Sequence, residues 1–348
     1  MLLRKRNLNI NNTDSSKDAS LAVKRKNSNA KTGLQIFEGR KPALVKGTPA
    51  EIRMMTQDPM PTYDFDAESE NDPTAMATYA RDIFIYYKYR EQFFKVGDYF
   101  PRQKNFNRET RARMVDWMVE VQETFELNHE TLYLSVKLLD MYLDNMSNIE
   151  LERFQLAASA AILVASKFDE RMPPLIDDFV YLSNDVYTRD QIICMERELF
   201  QTVKFDLGAP ISYRYLRRYA RVTKLDMPTL TLARFILETS LMVADFCRVS
   251  ESLMALGCYL LAVRMKKIGD WTPILQKYSG FTRDEVEPLV TALNHMMCCA
   301  KREFRASSII YNKYSHEIFF EVASIAPLPD ELSPQAPVGP PACLLELY

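Results

Sequence analysis

Residues 154–168 read Phe154-Gln-Leu-Ala-Ala-Ser-Ala-Ala-Ile-Leu-Val-Ala-Ser-Lys-Phe168, or FQLAASAAILVASKF. Ala157, Ala158, Ala160, Ala161, Ile162, Leu163, Val164 and Ala165 leave few polar interruptions. A surface helix carries one apolar stripe, whereas a helix apolar all round is buried all round. At about 1.5 Å per residue the stretch is too short for a bilayer, which needs about 20 apolar residues. Its alanines let neighbouring helices approach on several sides. The stretch therefore predicts the central rod of a helical bundle. A second rod follows at Leu253 to Met265, LMALGCYLLAVRM, where Ala255, Gly257, Cys258 and Ala262 stand among leucines. Two rods predict two copies of one bundle.

The rest of the chain is consistent with that reading. A length of 348 residues allows about two domains. With only 9 Gly against 47% hydrophobic residues, an all-α fold is favoured over a turn-rich all-β one. The net charge of −2 gives no global case for nucleic-acid binding. Cys194, Cys247, Cys258, Cys298, Cys299 and Cys343 form no C-x-x-C pair. They read as reduced, buried thiols of an intracellular protein. His129, His295 and His316 show no H-E-x-x-H spacing, so neither a metal nor a cofactor is expected. The opening MLLRKRN lacks the apolar core of a signal peptide. A soluble, nuclear or cytosolic protein without a membrane anchor is the expectation.

Taken in order, residues 1–74 read as a disordered regulatory tail. Up to residue 53 it is rich in Asn, Ser and Lys, with 12 bases against 4 acids. The clusters Arg4-Lys5-Arg6 and Lys24-Arg25-Lys26 fit a nuclear-import signal or a solvated basic tail. An acidic hinge, DPMPTYDFDAESENDP, follows, and Pro59, Pro61 and Pro73 forbid a continuous helix there. Residues 75–108 supply an aromatic helix (Ala75 to about Phe94) and a GDYFPRQ loop. Residues 109–207 read as five helices: about Glu109–Phe125, His129–Asn145, the rod, Asp177–Leu182, and one opened by a Thr188/Gln191 capping box and running to Val203. The pattern restarts in residues 208–310, with helices near 212–223, 228–245, 251–267, 271–279 and 282–304. Here too the fifth opens on a capping box, Thr282 with Glu285. YLSNDVYTRDQI at 181–192 and KYSGFTRDEV at 277–286 repeat one local text, which predicts a duplicated domain. Residues 311–348 form an extension, expected to be largely unstructured from Ala326 because of its prolines.

No Gly-rich phosphate loop is present, and no Cys, His or carboxylate cluster has a catalytic spacing. The residues alone thus reach a non-enzymatic two-bundle adaptor.

The segment TRARMVDWMVEVQETFELNHETLYLSVKLLDMYL resembles a cyclin box. Arg111, Met114, Trp117, Met118, Leu127, Leu132, Ser135, Val136, Leu138, Leu139 and Asp140 stand at that motif's spacings. So does ASKFDERMPP at 165–174, and the resemblance covers about residues 76–320. One departure is Met141, where the pattern usually has a base. The text is similar to mitotic cyclins, above all to their third B-type subclass. The resemblance implies two tandem five-helix cyclin boxes acting as regulatory subunit of a mitotic cyclin-dependent kinase, at entry into and progress through mitosis. A rigid helical face would press on the kinase's mobile αC helix, seat its Lys–Glu pair and open its activation loop.

Several residue roles come with that resemblance. Lys167 and Glu196 fall at the family's kinase-contacting pair, against the simpler reading that they bind each other. Phe205 matches an aromatic that packs on the kinase, with core packing as its alternative. Tyr79 and Ile83 match residues of the N-terminal helix that touch the kinase's large lobe. The family's groove for Arg-x-Leu substrates maps onto Met114, Trp117, Glu120, Phe154 and Gln155. Thr110 and Arg113 stand where apolar residues are usual, so docking of basic peptides is expected to be weakened. Destruction by ubiquitin-ligase machinery is a family expectation with poor support here. No Arg-x-x-Leu box occurs in residues 1–75, where Lys5-Arg6-Asn7-Leu8 is nearest to one, and no Lys-Glu-Asn triplet occurs. Thr48-Pro49 has the form of a proline-directed phosphosite. The alternatives are a cyclin-fold transcription factor that grips DNA, for which a basic face and zinc ribbon are lacking, and an all-α enzyme.

Overall fold

The computed structural model describes residues 58–72, 75–303 and 308–346. Among these every regular element is helical. After a turn at Asp66–Ser69, α1 (Ala77–Glu91) leads into the first bundle. That bundle comprises α2 (Arg108–Thr124), α3 (His129–Asn145), α4 (Leu151–Asp169), α5 (Ile176–Leu182) and α6 (Arg189–Thr202). The second comprises α7 (Ser212–Val222), α8 (Met227–Met242), α9 (Glu251–Met265), α10 (Pro273–Ser279) and α11 (Arg283–Glu303). Two short helices close the chain, α12 (Ile309–Tyr314) and α13 (Ala342–Glu346).

The two rods read from sequence are α4 and α9. Phe154 and every residue from Leu156 to Ser166 are buried, as is every residue from Ser252 to Val263. α4 packs on α3 and α6, and α9 packs on α7, α8 and α11. Gly257 shows how tight the second contact is. A Cβ there would lie 2.9 Å from Leu289 Cδ2 and 3.0 Å from Leu293 Cδ1. Local chemistry sets the helix starts. Asn107 caps α2 through Thr110 N–H. Thr188 and Gln191 form the expected capping box of α6, and Glu285 accepts from both Thr282 N–H and Thr282 Oγ1 at the start of α11.

The two bundles are joined by buried charge. Arg111, 1% exposed, gives Nε and Nη2 to Asp140 at 2.8 and 2.6 Å and Nη1 to the Leu241 carbonyl at 2.6 Å. One guanidinium thus bridges α2, α3 and the end of α8. Tyr99 Oη donates to the same Asp140. The Asp116 carboxylate of α2 accepts from Ser308 Oγ and from the N–H groups of Ile309 and Ile310, capping α12. Lys313 of α12 then reaches Gln122 Oε1 at 2.8 Å and Glu238 Oε2 at 3.0 Å. α12 is a wedge between α2 and α8.

Two segments expected to lack structure are held in place. In the acidic hinge, Asp66 pairs with the guanidinium of Arg218, Glu68 with Lys224 and Asp58 with Lys277. Phe65 is buried against the Tyr278 ring. The hinge is ordered because the basic face of α7 and α10 neutralises its acids. The proline-rich end lacks long helices, but Asn294 brackets it: Nδ2 donates to the carbonyls of Leu328 and Pro329, and Leu328 N–H returns to Oδ1. Its backbone is satisfied by a side chain where prolines prevent a helix, and Leu344 ends 1% exposed. A third correction concerns the thiols. Cys258 and Cys299 are buried and Cys247 and Cys298 half-buried, but Cys194 and Cys343 are exposed. Among the described residues no helix is long and apolar enough to cross a membrane.

Candidate functional site

The most conspicuous surface lies on the first bundle, where α4 ends. Lys167 stands in the last turn of α4, with its side chain 43% exposed, and donates to Glu196 Oε1 on α6 at 2.5 Å. The two residues assigned to a partner therefore bind each other in the isolated chain. A lysine ammonium has three N–H donors, and this one makes a single hydrogen bond to its carboxylate. An exposed pair of this kind contributes at most about 1 kcal/mol to stability, so exchanging it for a partner's groups costs little.

Bare apolar side chains continue the chain from this pair. Phe168 is 53% exposed, Met172 89% and Leu175 68%. They were missed in the sequence-based assignment, although they stand within the quoted ASKFDERMPP motif or just after it. Their signal was apolar residues in a Pro-containing loop directly after a buried rod. Phe205 is also bare, at 63%. Its backbone has φ 61°, the left-handed region that costs a non-glycine residue on the order of 1 kcal/mol. Its ring meets Phe200 edge-on at 4.9 Å. Phe205 is therefore not a core residue; the chain holds a strained turn and presents an aromatic ring to solvent.

α1 divides its faces. Phe84 and Tyr87 pack on Tyr215 of α7, and Glu91 accepts from Ser252 N–H and Oγ at the start of α9. Burial raises the Glu91 carboxyl to about 7. Ile83 is half-buried, while Tyr79 is 59% exposed on the outer face. α1 is thus stapled to the second bundle with Tyr79 left over.

The residues assigned to a substrate groove are only partly assembled. Met114, Trp117 and Glu120 follow one another along one face of α2, the first two half-buried and the last exposed. Gln155 is half-buried, and its Oε1 accepts from Tyr187 Oη at 3.4 Å. Phe154 does not belong with them. It is 0% exposed and stacks on Phe106 with ring centroids 4.5 Å apart. An aromatic at the start of the rod is drawn into the core by the GDYFPRQ-to-α2 connection. Of the two departures, Thr110 Oγ1 is turned onto Asn107 and Arg113 pairs with Glu109 at 2.6 Å on the surface.

Sequence reasoning also missed a buried polar knot under the junction of the bundles. Arg234 Nη1 lies 2.7 Å from His129 Nε2. A guanidinium only donates, so Nε2 accepts and the ring proton sits on Nδ1, 3.5 Å from Glu238. Burial, foremost, pushes the His129 imidazole down to about 4, so it is neutral at physiological pH. The knot positions α3 against α8.

Residues 82–208 match the cyclin N-terminal domain family and residues 210–328 the cyclin C-terminal domain family. The G2/mitotic-specific cyclin-B3 of Caenorhabditis elegans is 51% identical over 278 residues, spanning 79% of this chain and 72% of that protein. The human G2/mitotic-specific cyclin-B3 is 42% identical over 283 residues, spanning 81% of this chain but 20% of that far longer protein. The crystal structure of a viral cyclin from herpesvirus saimiri aligns with a TM-score of 0.55 at 21% identity, over 62% of this chain and 96% of the viral one. That last likeness is one of fold.

Proposed function

We infer, from a chain that belongs to the cyclin family and sides there with the G2/mitotic-specific cyclin-B3 proteins, that its work is done by surface rather than by reactive groups. It is a non-catalytic regulatory subunit of a cyclin-dependent kinase. The finer reading is that the kinase is a mitotic one and that the contact is the end of α4 with α6 and the turn after it. One observation carries this: Lys167, with a single hydrogen bond to Glu196, sits at the head of a run of bare apolar residues. On meeting the kinase, Lys167 and Glu196 part and bind backbone groups of its mobile αC region. Such charge-assisted bonds gain strength as water leaves. Phe168, Phe205 and Tyr79 supply apolar area, and the two rods keep the face from yielding, since a close-packed core deforms little.

Two further readings rest on the family. Substrates with Arg-x-Leu docking motifs are bound weakly, because Phe154 is in the core and Arg113 repels basic peptides. Regulated destruction does not use Arg81-x-x-Phe84 or Arg90-x-x-Phe93. The first lies within α1, and Arg90 is tied to Asp206 by two 2.7 Å bonds. The Lys5–Leu8 stretch and the basic clusters proposed for nuclear import lie outside the described residues. The DNA-gripping alternative gains nothing from these relatives.

The test is co-purification of the Lys167→Ala, Glu196→Ala double variant with candidate mitotic kinases, followed by a histone-type phosphorylation assay. Helicity should be unchanged and kinase affinity should fall about tenfold or more. Undiminished affinity would remove this pair from the contact.

A further inference from the structure

A cavity of about 480 Å³ lies where the acidic hinge crosses α1, α7 and α10. That size suits a small organic ligand. Phe84, Ile85, Tyr215 and Tyr278 give it apolar and aromatic walls, and its charged lining is mixed, with Asp64 and Glu70 on one side of the balance and Arg81, Arg218 and Lys277 on the other. Lys88 lines it too. Its Nζ is turned inward, donating to the Ser279 carbonyl and lying 4.1 Å from the centroid of the buried Phe281 ring. Lys88 lies near the carboxylates of Glu91 and Glu285, yet burial outweighs them and pushes the amine down to about 8. A surface lysine behaves oppositely: hydrogen bonding to Glu68 raises Lys224.

We propose that this cavity is a covalent ligand site, in which the Lys88 amine condenses with small, uncharged aromatic aldehydes to form an imine. The aromatic walls hold the ring face-on or edge-on, and the carboxylates of the lining are matched by its cations, Arg218 pairing with Asp66 and Lys277 with Asp58, so a charged aldehyde gains no net attraction. In its resting state Lys88 closes the C-terminal end of α10, beside Gly280. That role needs only a donor, and arginine also supplies one. The reaction needs the unprotonated amine. Its lone pair attacks the carbonyl carbon and a C–N bond forms. Nitrogen passes its protons to the former carbonyl oxygen, water leaves, and a C=N bond remains. Carbon, nitrogen and oxygen balance with one water released, and no oxidant or reductant enters. The adduct replaces the Lys88–Ser279 tether and wedges the hinge, so occupancy would loosen α1 from the second bundle.

The proposal rests on the cavity and not on the kinase contact, so either can fail alone. The experiment treats the full chain with benzaldehyde, which carries no ionisable group, traps imines with borohydride and maps the adducts by peptide mass spectrometry. Lys88 should carry several-fold more label than the exposed Lys95 and Lys104, and its labelling should rise through about pH 8, whereas ordinary lysines respond nearer 10. Ala77→Trp narrows the cavity and keeps the amine, and it should suppress labelling at Lys88 alone. Lys88→Arg retains a donor for α10 and should remove that adduct while leaving helicity intact. Label spread evenly over surface lysines, or Lys88 labelled equally in the Ala77→Trp protein, overturns the proposal.

Discussion

Two residues after Ala165 the first rod carries Lys167; two residues after Ala262 the second carries Arg264. The positions correspond and the charge is the same, but the bonding is not. Arg264 is held on three sides by its own chain: Nε donates to Asp270 at 2.8 Å, and Nη1 and Nη2 to Glu287 at 2.6 and 2.9 Å, with the side chain 16% exposed. Lys167 makes one bond and stays 43% exposed. The surroundings diverge likewise. The second bundle is wrapped by the hinge, α1, α12 and the proline-rich end, while the first leaves Phe168, Met172, Leu175, Tyr181 and Phe205 bare. A duplicated core can therefore hold two kinds of surface. At the end of one rod the cation is bound three times by its own chain; at the end of the other it is bound once, as the proposed contact with a partner requires.

The sharpest test of the shared core is a charge in each rod. Ala161→Asp and Cys258→Asp occupy corresponding sites, both 0% exposed. Each strands a carboxylate and should cost more than about 4 kcal/mol, read as loss of cooperative thermal unfolding. If one rod tolerates the change, the bundles are not equivalent inside. Next comes the small-residue contact of the second rod. Gly257→Ala pushes a methyl into Leu289 and Leu293. The overpacking of about 1–3 kcal/mol exceeds the roughly 1 kcal/mol gained from helix propensity, so chemical denaturation should show a net loss. The first rod already holds Ala160 there, and Ala160→Gly should cost about 1 kcal/mol.

The surfaces separate by opposite readouts. Arg264→Ala should lower stability by about 1 kcal/mol through its lost packing and bonds and leave kinase affinity alone. Phe205→Gly should relieve on the order of 1 kcal/mol of backbone strain yet weaken kinase binding in a pull-down. Equal effects on both readouts would erase the contrast between the bundles. The smallest effect is one of pH. Burial raises Glu91 from 4.5 to about 7 in the folded chain. Its stabilising contribution is then complete below about 4.5 and lost as pH rises through about 7. The melting temperature should drift down across that window, and Glu91→Gln should flatten the drift.

The helical scaffold was legible because periodicity and caps act locally. The rods, the capping boxes at Thr188 and Thr282 and the duplication are all statements about near neighbours. Even Arg111 and Asp140, noted only as motif positions, owe their spacing to a bridge between α2 and α3. What could not be read depends on distant residues. Nothing in DPMPTYDFDAES names Arg218 and Lys277 as its counterions, some 150 to 220 residues later. Nor does the proline-rich end reveal that Asn294 will bracket it. The candidate site was legible as a set of positions and not as a state. Spacing could not tell that Lys167 and Glu196 hold each other while alone, or that Phe154 faces inward and Phe205 outward.

The wedge made by α12 has a consequence for biosynthesis. Asp116 and Gln122 wait for Ser308 and Lys313, more than 190 positions downstream. While the ribosome is still translating, the nascent first bundle can collapse around its own rod, because its contacts are local. Its seam with the second half stays unsealed until residues 308–313 have been made. A truncated product would therefore keep most of its helices and lack the fixed alignment between its halves.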